Sequence, residues 1–513
     1  MRDLSFAIDV GTGSIRSALV DRGGAILALA SREHEQIVPR FGWSEQRPAD
    51  WWAGSVATVR EVLTLVEGAP ARVAALCACG QMHGTVLVDD HGRPTRDAVP
   101  LWNDKRTLGG VEAFVARHRP AAYLARTANP PSPAWPAFKL RWMAEHDAQA
   151  LARAVTVLMP KDWINLRLTG VRATDRTEAS MSFLMDAATG DWSDELLALT
   201  GVRRGLLAPI RDPLDVIGPL AADAAGELGL PAGLPVLAGA GDYPAALLGS
   251  GVMAPGMASD VTGTSTIITL LHEAPVIDAQ VSNVATVEGN WGSLTLLDAG
   301  GDAVRWARRA FHANRRGYDE VTQAAAGAEA GAGGLFFLPY LSGERFGEHR
   351  NSRAQFFGLT AAHGLPELHR AVLEGVAFSV RLALGALQGD APRPERFVAA
   401  GGGAKSGLWL RIKASMYGVP YLVPRELECG VVGAAAMMAA AVGDAPDLAA
   451  AVGRMVAFER EVAPEPEWAA RYDRMMPIYE RLHRSAQGFY DDLDALAEAE
   501  RPSERRPSCA PPD

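Results

Sequence analysis

A chain of 513 residues, 48 % hydrophobic and 21 % charged, is too long for one ordinary core and too apolar for disorder, so two folded domains are expected. Its formal net charge of −10 and the lack of any Lys/Arg block argue against a nucleic-acid partner. No apolar leader follows Arg2-Asp3 and no uncharged apolar run of about 20 residues occurs, so a cytoplasmic protein without a membrane span is expected.

Residues 5–10, 15–21 and 25–32 read as strands. The Gly-Thr-Gly and Gly23-Gly24 turns between them predict an antiparallel meander. Residues 49–65 carry Trp52, Val56, Val59 and Val62 at three- and four-residue spacing, the pattern of an amphipathic helix. Residues 72–78 read as a core strand, with Cys77 and Cys79 as buried free thiols. The remaining cysteines, Cys429 and Cys509, complete neither a CxxC pair nor a His-flanked cluster, which leaves a zinc site unsupported. A loop at 80–84 and an extended segment at 85–89 follow. Residues 106–225 read as mostly helical, broken by Pro130-Pro131-Ser132-Pro133. A strand at 235–240 ends at Gly241-Asp242, and a helix is predicted from Pro244.

A second lobe is expected from about residue 256. It opens with strand–turn–strand at 257–271 and extended runs within 289–297. Helices at 302–313 and 318–326, a buried strand at 335–338 and a long helix at 365–387 come next. A strand at 396–400, a helix at 408–417, a short strand at 421–423 and an Ala/Gly-rich helix at 430–441 complete it. The tail beyond about 494 is predicted to fray. Meander, helix and mixed sheet together indicate an α+β or α/β lobe.

One motif occurs twice. Asp9-Val10-Gly11-Thr12-Gly13-Ser14 and Asp260-Val261-Thr262-Gly263-Thr264-Ser265 each join two β-branched runs. Such a turn gathers backbone N–H groups at one point, where a phosphate fits, and glycine keeps Cβ atoms out of its way. Two copies suggest two related lobes gripping one polyphosphate. Thr12 and Thr264 add hydroxyls. Asp9 either orients Mg²⁺ or stabilises its own turn. Arg16 either balances phosphate charge or lies on the sheet surface. Asp242, at a helix start, is either an N-cap or a carboxylate held ionised to accept a hydroxyl proton. Gly401-Gly402-Gly403-Ala404-Lys405-Ser406 joins strand to helix without P-loop spacing, and could carry an adenosine on bare backbone. Gln81-Met82-His83-Gly84 and Trp102-Asn103-Asp104 offer an apolar face and hydrogen-bonding groups to a small polyhydroxylated ligand; core packing of Met82 is the competing reading.

The ordered set of motifs resembles the FGGY carbohydrate kinases of the actin-like ATPase superfamily, and within them the xylulose kinases. The set comprises the Asp9 turn, Trp43-Ser44-Glu45-Gln46, Gln81-Met82-His83-Gly84, Trp102-Asn103-Asp104, Lys161-Asp162-Trp163, Gly241-Asp242, Gly263-Thr264-Ser265, Leu341-Ser342-Gly343-Glu344-Arg345, Phe356-Phe357-Gly358-Leu359 and Gly401 to Ser406. The resemblance implies a two-lobed α/β, ribonuclease H-like fold with a central cleft. Residues 1–254 would form the sugar-side domain, 255–485 the nucleotide-side domain, and 486–513 a helix end and tail. It implies ATP and Mg²⁺, transfer of the γ-phosphoryl to a small sugar such as D-xylulose, and room for a homodimer. Asp242 matches the catalytic base, and Asp9 the residue near Mg²⁺, with Asp242 as the other candidate metal carboxylate. Gly11, Thr12, Gly13, Gly263, Thr264 and Ser265 match phosphate-facing turns; Gly401, Gly402, Gly403, Ala404 and Ser406 match the adenosine side. Met82, His83, Trp102 and Asp104 match the sugar side. Tyr243 stands where Asn is common, and Thr266 where Gly is usual, which points these departures at substrate choice rather than at the reaction.

Overall fold

The computed structural model describes residues 2–298, 300–344, 351–389 and 393–499. Arg345, Cys509 and the tail beyond 499 lie outside the described residues.

Two sheets with matching topology form the framework. In the first lobe Leu4–Val10, Ser14–Asp21 and Ile26–Glu33 make the expected meander, and Leu4–Val10 also pairs in parallel with Val73–Gly80. Pro235–Gly241 adds in parallel beside Val73–Gly80, and Val216–Pro219 closes that edge antiparallel. In the second lobe Met257–Thr262 and Thr266–His272 pair antiparallel, and Thr266–His272 pairs with Trp291–Leu297. Arg396–Ala400 and Tyr421–Pro424 add in parallel on the other side, and Phe458–Val462 closes antiparallel. Ser282–Ala285, on the far edge of Trp291–Leu297, makes this sheet seven-stranded against six in the first. The repeated Gly-Thr turns thus occupy equivalent hairpin ends.

The repeat differs in one respect that alternation explains. Asp9 precedes its first turn glycine by two residues and Asp260 by three, so the two carboxylates leave opposite faces of equivalent strands. Asp260 points into the second lobe, where Lys413 Nζ reaches it at 2.8 Å and the Tyr421 hydroxyl donates to it at 2.8 Å. Asp9 faces the cleft.

The predicted helix at 49–65 is Pro48–Leu65, and its Trp51, Trp52, Val59 and Val62 are buried against the first sheet. The stretch 106–225 is helical as expected but threaded by short strands, among them Thr156–Leu158 and Thr174–Asp175. Strands Ser282–Ala285, Val216–Pro219 and Phe458–Val462 escaped the sequence reading because these edge pieces are short and carry Ser-Asn, glycine or charge instead of an apolar run. The C-terminal helix runs Pro466–Ala499, past the point where fraying was expected; Tyr472, Tyr479 and Tyr490 anchor its earlier turns in the core. Leu365–Gln388 is long and apolar enough to cross a membrane, yet His369 to Val380 are buried in the core of the second lobe.

The lobes are joined by a helix pair. Asp242–Gly249, which follows the last parallel strand of the first lobe, packs on Cys429–Ala441 from late in the chain. That second helix lies on the first sheet, its Val431, Val432 and Ala435 against Ala7, Cys77 and Leu237. The family-type division of the chain near residue 255 is therefore crossed in space. Backbones touch at the crossing: a Cβ on Gly433 would lie 2.0 Å from Ala245 O, and one on Gly249 1.8 Å from Cys429 O. Gly433→Val should destabilise the fold by about 3 kcal/mol through overpacking, read as a lowered urea midpoint with an unchanged slope.

Candidate functional site

Two cavities open on the cleft. One, of about 500 Å³, is walled by Asp9, Met82, His83, Trp102, Asp242 and Tyr243 from the first lobe, Ser259, Ile267 and Leu294 from the second, and Cys429 and Gly430 from the joining helix. The other, of about 1060 Å³, is lined by Gly263, Thr264, Gly301, Asp302, Tyr318, Gly402, Gly403, Ser406 and Trp409. The triple-glycine loop connects them, since Gly401 borders the first and Gly402 and Gly403 the second. Gly401 has φ +73°, and a Cβ there would stand 2.7 Å from Thr262 O. Glycine is required because the loop lies against the second Gly-Thr turn.

Asp9 and Asp242 share the first cavity. Asp242 occupies the first helical position with Gly241 as N-cap, so it is not the capping residue; its Oδ1 accepts the neighbouring Tyr243 N–H, at 2.7 Å. Burial, reinforced by the charge of Asp9, pushes its pKa up to about 7. This reverses the expectation from its helix start: the helix N-terminus favours the ionised form by a fraction of what desolvation removes. Burial also raises Asp9 to about 6, opposed by Arg16 and reinforced by Glu428. Asp9 Oδ1 is buried without a hydrogen-bond partner among the described residues. Arg16 reaches the cavity wall, but its Nη1 pairs with Glu428 at 2.8 Å.

Two sequence motifs and His34 converge on the first Gly-Thr turn. Thr12 O accepts from Gln46 Nε2 at 2.6 Å and lies 3.0 Å from His34 Nε2, and Thr12 Oγ1 accepts from Trp102 Nε1 at 3.0 Å. The N–H of Gly11 closes the turn on Ser14 O at 3.1 Å, and Gly263 does the same on Ser265 O at 2.9 Å. The first N–H of each turn is thus spent on the turn itself. Gly11, Thr12 and Gly13 are outside the wall of either cavity.

Asp104 does not line the first cavity. It is buried, with Oδ2 accepting from Ser44 N at 2.7 Å and Oδ1 from Arg106 N and Nε at 2.9 Å. Arg106 then sits on the face of Trp43, 3.7 Å from the ring centre, and pairs with Glu45 at 2.6 Å. The Trp43-Ser44-Glu45-Gln46 and Trp102-Asn103-Asp104 motifs are one clamp. Ala404 and Ser265 also stand outside both cavities: Ala404 is buried with its carbonyl accepting from Arg460 at 3.0 Å, and Ser265 backs onto Gly300. Ser406 lines the larger cavity while its Oγ caps Gly407–Tyr417.

Met82 serves both readings: it is buried and packed on Gly241, and it lines the cavity. His83 has φ 68°, and its carbonyl accepts from the buried Lys139 Nζ at 2.7 Å. Its ring packs edge-on against Trp135, 4.9 Å between centroids, and burial, with Lys139 adding to it, holds its pKa well below the usual imidazole value. A neutral imidazole with an unpartnered buried Nδ1 results. Tyr243 presents its ring to the cavity while its hydroxyl shares a 2.5 Å bond with Thr269. Trp135, Met181, Ser282, Leu294 and Glu428 also wall this cavity, and sequence reading missed them because no spacing links them. Gly300-Gly301 was missed as well; Gly301 N donates to Gly263 O at 2.8 Å and Asp302 N to Thr264 O at 2.9 Å. A Gly-Gly pair opening a helix was the available signal.

Residues 4–249 match the N-terminal domain of the FGGY family of carbohydrate kinases and residues 258–442 its C-terminal domain. A xylulose kinase of Klebsiella pneumoniae is 30 % identical over 93 % of this chain and 97 % of its own length. A glycerol kinase of Methylibium petroleiphilum is 31 % identical over 84 % of this chain and 89 % of its own. The crystal structure of a xylulose kinase from Rhodospirillum rubrum superposes with a TM-score of 0.89 at 31 % identity, covering 95 % of this chain and 99 % of that one. With two matching lobes around a cleft that holds a pair of carboxylates beside glycine loops, the chain belongs to the FGGY family of carbohydrate kinases and is an ATP-dependent kinase of a small sugar.

Proposed function

We propose that the chain phosphorylates a ketopentose, D-xylulose at its 5-hydroxyl, with Asp242 as the base that accepts the hydroxyl proton. The observation that carries this reading is the placement of Asp242 with Met82 and His83 in a cavity joined by Gly401 to the larger, glycine-lined one. The acceptor occupies the first cavity and ATP the second. Asp242, ionised, takes the proton as the oxygen attacks the γ-phosphorus and the bond from that phosphorus to the β-phosphate oxygen breaks, releasing ADP. The neutral His83 Nδ1 bonds a sugar hydroxyl, and the Tyr243 ring, its own hydroxyl engaged by Thr269, fixes the width of the pocket. The Gly263-Thr264 turn and the Gly401–Gly403 loop let phosphate and adenosine lie on backbone. Cys429 and Gly430 bring the N-terminal turn of Cys429–Ala441 to the cavity wall, where its dipole favours an anion.

Asp9, with its unpartnered buried Oδ1, and Asp242 are the residues that would hold Mg²⁺. Among the described residues no group of three or more His, Cys, Asp or Glu could hold a metal. This suits an ion bound by one or two carboxylates together with phosphate oxygens and water. When bound, Mg²⁺ neutralises charge on the phosphates during transfer. The xylulose kinase relatives support the ketopentose; the glycerol kinase relative keeps polyols in the test.

Asp242→Ala should lower turnover roughly 10²–10⁴-fold on whichever substrate wild type prefers among ketopentoses, aldopentoses and polyols, followed as sugar-dependent ADP release. Near-wild-type turnover by this variant would remove Asp242 as the base, and preference for glycerol would reassign the substrate. Because the base must be ionised and its pKa is pushed up to about 7, kcat/KM should fall tenfold per unit as pH drops below that value. Stability has the opposite dependence. The folded state holds the Asp242 proton above the ordinary value of 3.8, so this residue's contribution becomes less favourable as pH rises from there to about 7. Asp242→Asn should therefore raise Tm at pH about 8 and raise it less at about 5, while abolishing turnover. An equal Tm shift at both pH values would contradict the buried-carboxylate account.

A further inference from the structure

The strand that delivers Asp242 is irregular just before it does so. Pro235–Gly241 loses its parallel register with Val73–Gly80 between Leu237 and Ala240. Gly239 has φ +70°, and a Cβ there would stand 2.0 Å from Ala78 O. A bulge of this kind re-aims the residues that follow, and it takes backbone groups out of the sheet ladder, where they need other partners.

The N–H groups of Ala238 and Gly239 go to Asp215 O at 2.8 Å and Pro213 O at 3.0 Å; the groups on either side of the break find partners in one buried cluster. Ala238 O accepts from Asn165 Nδ2 at 2.8 Å and from Lys161 Nζ at 3.2 Å. Gly241 N, in the Ala240–Gly241 peptide one residue before Asp242, donates to Thr177 Oγ1 at 3.0 Å. The Thr177 hydroxyl donates in turn to Asp175 Oδ1 at 2.5 Å, and the same oxygen accepts Thr177 N–H at 2.8 Å. Asp175 Oδ2 is ion-paired with Lys161 Nζ at 2.7 Å, and Lys161 also contacts Asp162. Lys161, Asp175, Thr177 and the neighbouring Glu178 are fully buried. None of the four lines the cavity, so substrate contact does not explain them.

We propose that Thr177, oriented by Asp175 and through it by Lys161, is a positioning residue that holds the Ala240–Gly241 peptide, one residue before Asp242, and thereby fixes the direction of the catalytic carboxylate. A hydroxyl is needed because the position must accept from a peptide N–H and donate to a carboxylate at once. Valine fills the same volume and can do neither. This inference rests on Asp242 as the base.

The test is a double-mutant cycle in the full-length enzyme, with ATP and the preferred sugar. Thr177→Val should lower kcat about 10- to 100-fold with KM for ATP unchanged, and Thr177→Ser should restore it to within a few-fold of wild type. In the Asp242→Ala background Thr177→Val should cost nothing further, because a residue that acts through Asp242 has no effect once Asp242 is gone. The same fold-loss in both backgrounds would mean general structural damage and overturn the proposal, as would a folded Thr177→Val enzyme with wild-type kcat. If Thr177→Val fails to fold, Thr177→Cys, a poor acceptor of similar size, replaces it; wild-type kcat there also overturns the proposal. Wild-type activity of Asp242→Ala alone would instead bring down the base assignment beneath it.

Discussion

The contact between Gly249 and Cys429 O, and between Gly433 and Ala245 O, is the constraint on which the site depends. Two helices can approach this closely only where both lack side chains at the crossing. One of them begins at Asp242 and the other at Cys429, and both starts open on the same cavity. A chain that fixes this crossing also fixes where a carboxylate from the first lobe stands relative to the joining helix. The sheets are large enough to tolerate small shifts; a backbone-to-backbone contact at van der Waals distance is not.

A second constraint is electrostatic. Two carboxylates, Asp9 and Asp242, sit in a partly dehydrated cleft with each other's charge nearby, and both are held above the usual carboxylate range. This works against the fold at neutral pH and in favour of the chemistry, since a base whose pKa lies near the working pH both holds and releases a proton readily. The helix N-terminus at Asp242 is too weak to offset desolvation. Elsewhere the protein solves the same problem by pairing: Asp260 with Lys413, Asp175 with Lys161, Glu374 with Arg370. The contrast separates carboxylates that hold the structure from those left open to a ligand.

Several polar motifs turn out to build the site's frame. Asp104 holds Ser44 and Arg106, Gln46 holds Thr12, and the Trp102 N–H is used on the same threonine. Polar residues clustered near a cleft look like ligand contacts in one dimension because composition does not tell which partner a hydrogen bond will find. The cavity in turn recruits apolar walls, such as Trp135, Met181 and Leu294, from segments with no distinguishing pattern.

Period-two and period-3.6 hydrophobic patterns, turn glycines and the ordered motif set determined the meander, the main helices, the two-lobed architecture and the identities of Asp9, Asp242, Met82 and His83 as cleft residues. These features are local, or they repeat along the chain, so sequence carries them directly. Tertiary structure alone decided that Asp260 turns away from the cleft while Asp9 faces it, that Asp104 and Ala404 are buried outside both cavities, and that burial overrides the helix dipole at Asp242. It alone placed Thr177 under Gly241, and Glu428 on Arg16. Each of these depends on which distant segments pack together, and burial and pairing energies exist only once they do.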